Sequence, residues 1–179
     1  MAAPVSPGAW ARAQGVSLRA VDALPPEPAL RRALADGVAR GYGGELPPFP
    51  GDAALLLIEE GGESAGVLAL KPGPGAAART VLAVAVAPAR RGRAVGLRAV
   101  VACERRLLRD GVRELYASVP RGNGRGVYFW LRAGYRPLTE PPALAPPGWG
   151  GGQGASPEGC GWFYRRLERS PRERRERAR

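Results

Sequence analysis

From Thr80 to Ala87 the sequence reads TVLAVAVA, a run with no charge and, after the threonine, no polar side chain. A strand with one wet face alternates apolar with polar residues. This one does not, so it must be covered on both faces, as the central strands of α/β sheets are. The next segment is equally restrictive. The stretch PARRGRAVG, Pro88 to Gly96, carries too much Pro, Gly and Arg to continue a strand. VGLRAVVACERRLLRDG then places Leu97, Val100, Val101, Leu107 and Leu108 at helical spacing and stops at Asp110-Gly111. A buried strand, a small-residue turn and a helix thus succeed one another without slack. The helix brings its dipole and its uncapped N–H groups to the end of the strand, an arrangement that suits an anion, phosphate above all. The plain alternative is an ordinary strand–turn–helix with exposed arginines.

The remaining segments extend this unit on both sides. VSLRAV, Val16 to Val21, alternates like a first strand, and Ala29, Leu30, Ala33, Leu34 and Val38 form one helical face. GYGGELPPFPGD interrupts regular structure. AALLLIEEGGESAGVLAL reads as a hairpin around Gly61-Gly62, and KPGPG turns the chain into the buried strand. Beyond the helix come a strand in RELYASV, a short helix in GRGVYFWLRA that Asn123 caps and Gly134 ends, and two strands in YRPL and GWFYRRLE. The predicted order is β-α-β-β-β-α-β-α-β-β. This is a mixed α/β fold in a single domain, with a central mixed sheet of about seven strands flanked by helices. The domain is expected over residues 15–168. A flexible N-terminus covers 1–14, a Pro/Gly-rich insert covers 139–160, and an Arg-rich tail, expected to be disordered, covers 169–179. The insert reads either as disordered or as a lid anchored by Trp149.

Composition removes several function classes. The 179 residues include no histidine and only two cysteines, Cys103 and Cys160, so a metal centre or a disulfide scaffold is not expected. No apolar run reaches the roughly 20 residues needed to cross a bilayer, and the N-terminal stretch lacks the pattern of a secretory signal. The expectation is a cytoplasmic protein without a membrane partner. Net charge is +11, unevenly spread: residues 79–136 hold 13 basic and 3 acidic groups, whereas residues 1–78 hold 6 and 8. Such a field favours a polyanion. A nucleic-acid-binding module is the weaker reading, because interleaved exposed aromatics and a recognition-helix motif are both missing. Arginine outnumbers lysine 26 to 1, which GC-rich coding alone would produce, so no single arginine is read as a ligand from its abundance.

The turn has neither the Gly-Lys-Ser/Thr of a P-loop nor the G-x-G-x-x-G of a dinucleotide fold. Arg91-Gly92-Arg93-Ala94-Val95-Gly96, with Pro88 ahead of it, instead resembles the Arg-x-x-Gly-x-Gly/Ala signature of the GNAT superfamily of acyl-CoA-dependent N-acyltransferases. The segment NGRGVYFWLRAGY resembles that family's Asn-x-x-Ala/Gly…Tyr-x-x-x-Gly-Phe stretch, and the strand order agrees over about residues 15 to 168. The resemblance implies a GNAT-like fold. It implies acetyl-CoA, or another acyl-CoA, as co-substrate, with its pyrophosphate on the backbone N–H groups of Arg91, Gly92, Arg93, Ala94, Val95 and Gly96. It also implies that the pantetheine arm lies along Val84, Ala85 and Val86, and that Asn123, Gly126 and Phe129 belong to the cofactor site. The implied reaction is transfer of an acetyl group to a primary amine on a small molecule or peptide. The acceptor is unknown, and a homodimer is compatible with the family.

One position departs from the pattern. Where the family carries a tyrosine that protonates the departing thiolate, this chain has Trp130. An indole N–H donates a hydrogen bond but is no general acid near neutral pH. Tyr128 lies two residues away, about 200° around a helix, and is no simple substitute. Trp130 therefore either packs or faces substrate or cofactor. A general base is equally open: Glu45, in the Gly/Pro-rich break, is the candidate, while Glu59 and Glu60 read as a solvated strand end. The missing acid and base keep a second function class in play, an acyl-CoA-binding sensor without turnover.

Overall fold

The computed structural model describes residues 9–24, 26–37, 49–120, 122–140, 142 and 160–168. Among them are eight strands in one sheet and three α-helices: β1 (Ala11–Ala13), β2 (Val16–Val21), α1 (Pro28–Gly37), β3 (Ala54–Glu60), β4 (Glu63–Pro72), β5 (Ala78–Val86), α2 (Val95–Arg109), β6 (Glu114–Pro120), α3 (Gly124–Arg132), β7 (Arg136–Leu138) and β8 (Cys160–Arg166). The sheet order is β1-β2-β3-β4-β5-β6-β8-β7. All neighbours pair antiparallel except β5 and β6, which run parallel because α2 crosses between them. The mixed α/β fold expected from the sequence is thus present, with eight strands rather than about seven.

The extra strand corrects one expectation. Ala11–Ala13 lies within the stretch expected to be a flexible N-terminus, yet it pairs with Val16–Leu18 across the two-residue turn Gln14-Gly15. Ala11 and Ala13 are buried and join the core under α2. Three small residues carry too little periodicity to be legible alone, and packing decides the matter. Residues 1–8, 38–48, 143–159 and 169–179 lie outside the described residues. So do Glu45, most of the Pro/Gly-rich insert with Trp149, and the Arg-rich tail.

The buried run sits where its composition requires. In β5, Val81 belongs to the main core under α2, whereas Leu82, Ala83 and Ala85 pack against Ala33 and Leu34 of α1 on the other face. Two successive residues on one face break the alternation of a strand. The cause is a bulge: Ala69 of β4 opposes Ala83 and Leu70 opposes Val81, which leaves Leu82 without a partner. The parallel ladder to β6 ends at the same place, with Val81 opposite Ala117 as its last pair. Beyond it, β5 and β6 diverge.

α3 is held by its inner face. Trp130 is 5% exposed and meets Phe129 edge-on at 5.1 Å and Tyr135 at 4.6 Å between ring centroids. Gly134, at φ 82°, lets the chain reverse so that Tyr135 N–H donates to Trp130 O, and the Tyr135 hydroxyl donates to the buried Glu104 of α2 at 3.0 Å. Arg165 of β8 completes the cluster, 3.3 Å from Glu104 and bonded to Ala133 O. Of the two readings of Trp130, the packing one describes where the ring is. Trp130→Ala should cost about 3–5 kcal/mol of stability, as aromatic truncations in cores do, measured by urea unfolding.

Candidate functional site

Where β5 and β6 part, the chain leaves a backbone edge unpaired. Ala87 N–H donates to Ala65 O, so in the antiparallel ladder Ala85 and Ala83 also turn their backbone groups toward β4. Val84 and Val86 then turn theirs the other way, away from β4, where Val86 O accepts from Arg91 Nε at 3.0 Å. Of the three strand residues proposed from sequence, two present backbone to the gap. Ala85 instead buries its side chain on the α1 face and its amide in the ladder.

At the end of this edge stands the turn. Pro88–Arg90 form one turn of 3-10 helix, Gly92 adopts φ 78°, Ala94 adopts φ 56°, and α2 begins at Val95. No side chain caps α2, so its first N–H groups lack the partner a Ser, Thr or Asp would supply. Residues 91–94 are exposed. A Cβ built on Gly92 would touch nothing, so its glycine serves the backbone angle. At Gly96 the reason is space: a Cβ there would lie 3.3 Å from Phe129 Cε2, 3.3 Å from Val86 Cγ2 and 3.6 Å from Val84 Cγ1.

α3 forms the opposite wall. Asn123 Oδ1 accepts from Gly126 N–H at 2.9 Å, as the sequence predicts for a cap. Gly126 has to be small, because a Cβ there would fall 2.8 Å from Val119 Cγ1 of β6 and 2.9 Å from Asn123 Nδ2. Phe129, which with Val86 lies nearest a Cβ on Gly96, brings α3 up to the start of α2. The structure therefore gathers Val84, Val86, the 91–96 turn, Asn123, Gly126 and Phe129 around one gap. Trp130 lies behind it in the core, and Tyr128 is exposed on the outer side of α3.

The carboxylates have other duties than the sequence suggests. Glu59 accepts from Ser17 and Arg19, the latter at 2.8 Å. Glu60 accepts from Arg98 at 2.5 Å and Arg90 at 3.4 Å, with Arg93 3.8 Å away. The hydrogen bond from Arg98, and then the charges of Arg93, Arg98 and Arg90, hold the Glu60 carboxyl below its ordinary range against the opposing effect of burial. A carboxylate so engaged is a poor proton acceptor. Neither glutamate is a free solvated strand end, and no sequence signal singles out Arg98. Among the described residues no group of three or more His, Cys, Asp or Glu could hold a metal ion, and no helix is long and apolar enough to cross a membrane.

The arrangement offers a strand edge for a peptide-like chain and, adjoining it, uncapped helix N–H groups for an anion. Known proteins share the fold. The sequence model described as the acetyltransferase (GNAT) family matches residues 27–135. No curated protein matches the sequence. Among solved structures, an acetyltransferase from Thermus thermophilus superposes with a TM-score of 0.57 at 24% identity, over 84% of this chain and 97% of that one. A GNAT family acetyltransferase from Elizabethkingia anophelis, with acetyl-CoA bound, gives 0.58 at 14% identity over 87% and 100%. An IAA acetyltransferase from Bacillus cereus gives 0.58 at 15% identity over 85% and 99%.

The cap at Asn123 can be measured independently of any ligand. Asn123→Ala should lower stability by about 1 kcal/mol, read from thermal unfolding, because Gly126 N–H loses its acceptor.

Proposed function

The chain belongs to the GNAT acetyltransferase family, and from that premise we propose that it is an N-acetyltransferase that moves an acetyl group from acetyl-CoA to a primary amine. The observation that carries the reading is the junction of the unpaired edge of β5 with the uncapped start of α2. Pantetheine contains two amides, which suit the outward-facing backbone of Val84 and the N–H of Val86 as a neighbouring strand would, Val86 O being taken by Arg91 Nε. A pyrophosphate at the far end of that arm meets the N–H groups of the 91–96 turn and the positive end of the α2 dipole. Gly96 lets the start of α2 pack closely against Phe129, Val84 and Val86, which brings the turn to the end of the β5 edge.

Bound there, acetyl-CoA supplies an activated acyl group: the amine nitrogen forms an amide bond, the thioester bond breaks, and the sulfur leaves as thiolate. The protein's own part is to fix the donor on the β5 edge and turn. Proton handling falls to groups other than Trp130, whose ring is packed between Phe129 and Tyr135. Glu45 remains the proposed base. An amine must lose a proton to attack, and the near-neutral pKa of thiols lets a thiolate leave without a strong acid, the free cysteine value being about 8.5. A cationic amine acceptor agrees with the slight acidic excess of residues 1–78. The same packing of Trp130 favours a second reading, an acyl-CoA sensor without turnover. Turnover by the wild type against a panel of amines, set beside coenzyme A affinity, separates the two.

The binding half of the proposal has a sharp test. Gly96→Asp puts a carboxylate at the helix start and a Cβ against Phe129 and Val86, and should weaken acetyl-CoA at least tenfold, about 1.4 kcal/mol. Arg93→Ala should cost less, its side chain being 58% exposed. Wild-type affinity in a folded Gly96→Asp protein, by calorimetry, would overturn the assignment.

A further inference from the structure

Arg98 lies one turn into α2 and touches neither the gap nor the β5 edge, yet its guanidinium joins three separate elements. Nη1 donates to Gln14 O in the β1–β2 turn at 2.9 Å; Nη2 donates to Glu60 Oε1 at 2.5 Å and to Arg93 O at 3.1 Å. The other oxygen of Glu60 faces Arg90 at 3.4 Å and Arg93 at 3.8 Å, and Arg90 is also bonded to Glu63. Arg91, for its part, donates from Nε to Val86 O at 3.0 Å. The arginines that crowd the turn are thus drawn toward the protein. Glu60 itself is nearly enclosed, its side chain 13% exposed.

The bond to Arg93 O has a consequence for the neighbouring amide. A peptide unit is planar and trans, so its C=O and N–H point in opposite directions. With Arg93 O held by Arg98, Ala94 N–H is turned away from that anchor, toward the exposed side of the turn. Ala94 sits in the left-handed region, at φ 56°, where a residue other than glycine is strained and needs its surroundings to hold it. Arg98 and Glu60 supply that hold.

On the coenzyme A reading of the site, we propose that Arg98 and Glu60 are positioning residues for the pyrophosphate turn, a half-buried pair that locks the Arg93–Ala94 peptide and restrains the turn's arginines so that backbone N–H groups hold the anion. The pair acts through the turn and touches no substrate atom. Glu60 is then a structural counter-ion and not the base. A lysine cannot replace Arg98, because one ammonium cannot reproduce the planar fork that reaches Gln14, Glu60 and Arg93 together.

Two ligands separate positioning from general support. Coenzyme A carries the pyrophosphate, and pantetheine lacks it. Arg98→Lys, which keeps the charge, and Glu60→Gln, which keeps the shape, are measured by calorimetry at about 0.3 M salt, where exposed charges are largely screened. The coenzyme A Kd should rise about tenfold in each variant while the pantetheine Kd, obtained by competition, stays within twofold of wild type. Melting temperature identifies folded variants, and either one suffices. A coenzyme A Kd within twofold of wild type in either folded variant overturns the proposal, as does an equal loss for pantetheine. A wild type that binds no coenzyme A overturns the parent reading as well.

Discussion

Everything in the site depends on one interruption of hydrogen bonding, the end of the parallel ladder at Val81 and Ala117. A sheet that stayed paired to the ends of β5 and β6 would consume the backbone groups of Val84 and Val86, and the gap would not exist. The bulge at Leu82 makes the interruption tolerable. It bends β5 away from β6 and keeps its other edge on β4, so only one side of the strand is left open. The open side is only partly filled from within the chain, since Val86 O accepts from Arg91 Nε at 3.0 Å and no strand lies beside Val84.

Charge is arranged to serve the same opening. Residues 79–136 are strongly basic, and a cluster of guanidiniums around an anion site would ordinarily be read as direct phosphate ligands. The structure divides them differently. Arg90 and Arg98 are spent on Glu60, Arg91 is exposed but reaches back to Val86 O, and Arg93 is exposed 3.8 Å from Glu60. Long-range attraction to a polyanion survives, since the net charge is untouched, while on the proposed reading the contact surface is backbone. Specificity for geometry and attraction by charge are thereby assigned to different groups.

Much of this is legible in the sequence, and the parts that are not share a cause. The unbroken apolar run TVLAVAVA announces a strand covered on both faces, and small residues at Gly92 and Gly96 announce a tight turn before a helix, because each is a matter of local composition. Asn123 and Gly134 mark both ends of α3 for the same reason. Partner choice across long sequence separations is not legible. Glu60 reads as a solvated strand end, because its partner Arg98 stands 38 residues away in the chain. β1 is too short to have a period, and the bulge at Leu82 leaves no mark in a run where every residue is apolar. Trp130 reads equally well as packed or as facing the site, because an aromatic residue on the inner face of a short helix satisfies either description.

The position of Trp130 bears on how such a site could work. Its ring is one of three packed edge to face between α3 and the start of β7, and the third, Tyr135, commits its hydroxyl to Glu104. That phenol is also pushed well above its ordinary pKa, first by burial and then by the nearby carboxylate, which makes it a still weaker acid. The inner face of α3 therefore offers no group ready to release a proton near neutral pH. On the proposed reaction, the rate would have to come from placing the thioester and the amine together, a contribution that can reach about 7–11 kcal/mol when the geometry is fixed. A turn locked by Arg98 and a strand edge held open by the Leu82 bulge are the means this chain has for fixing it.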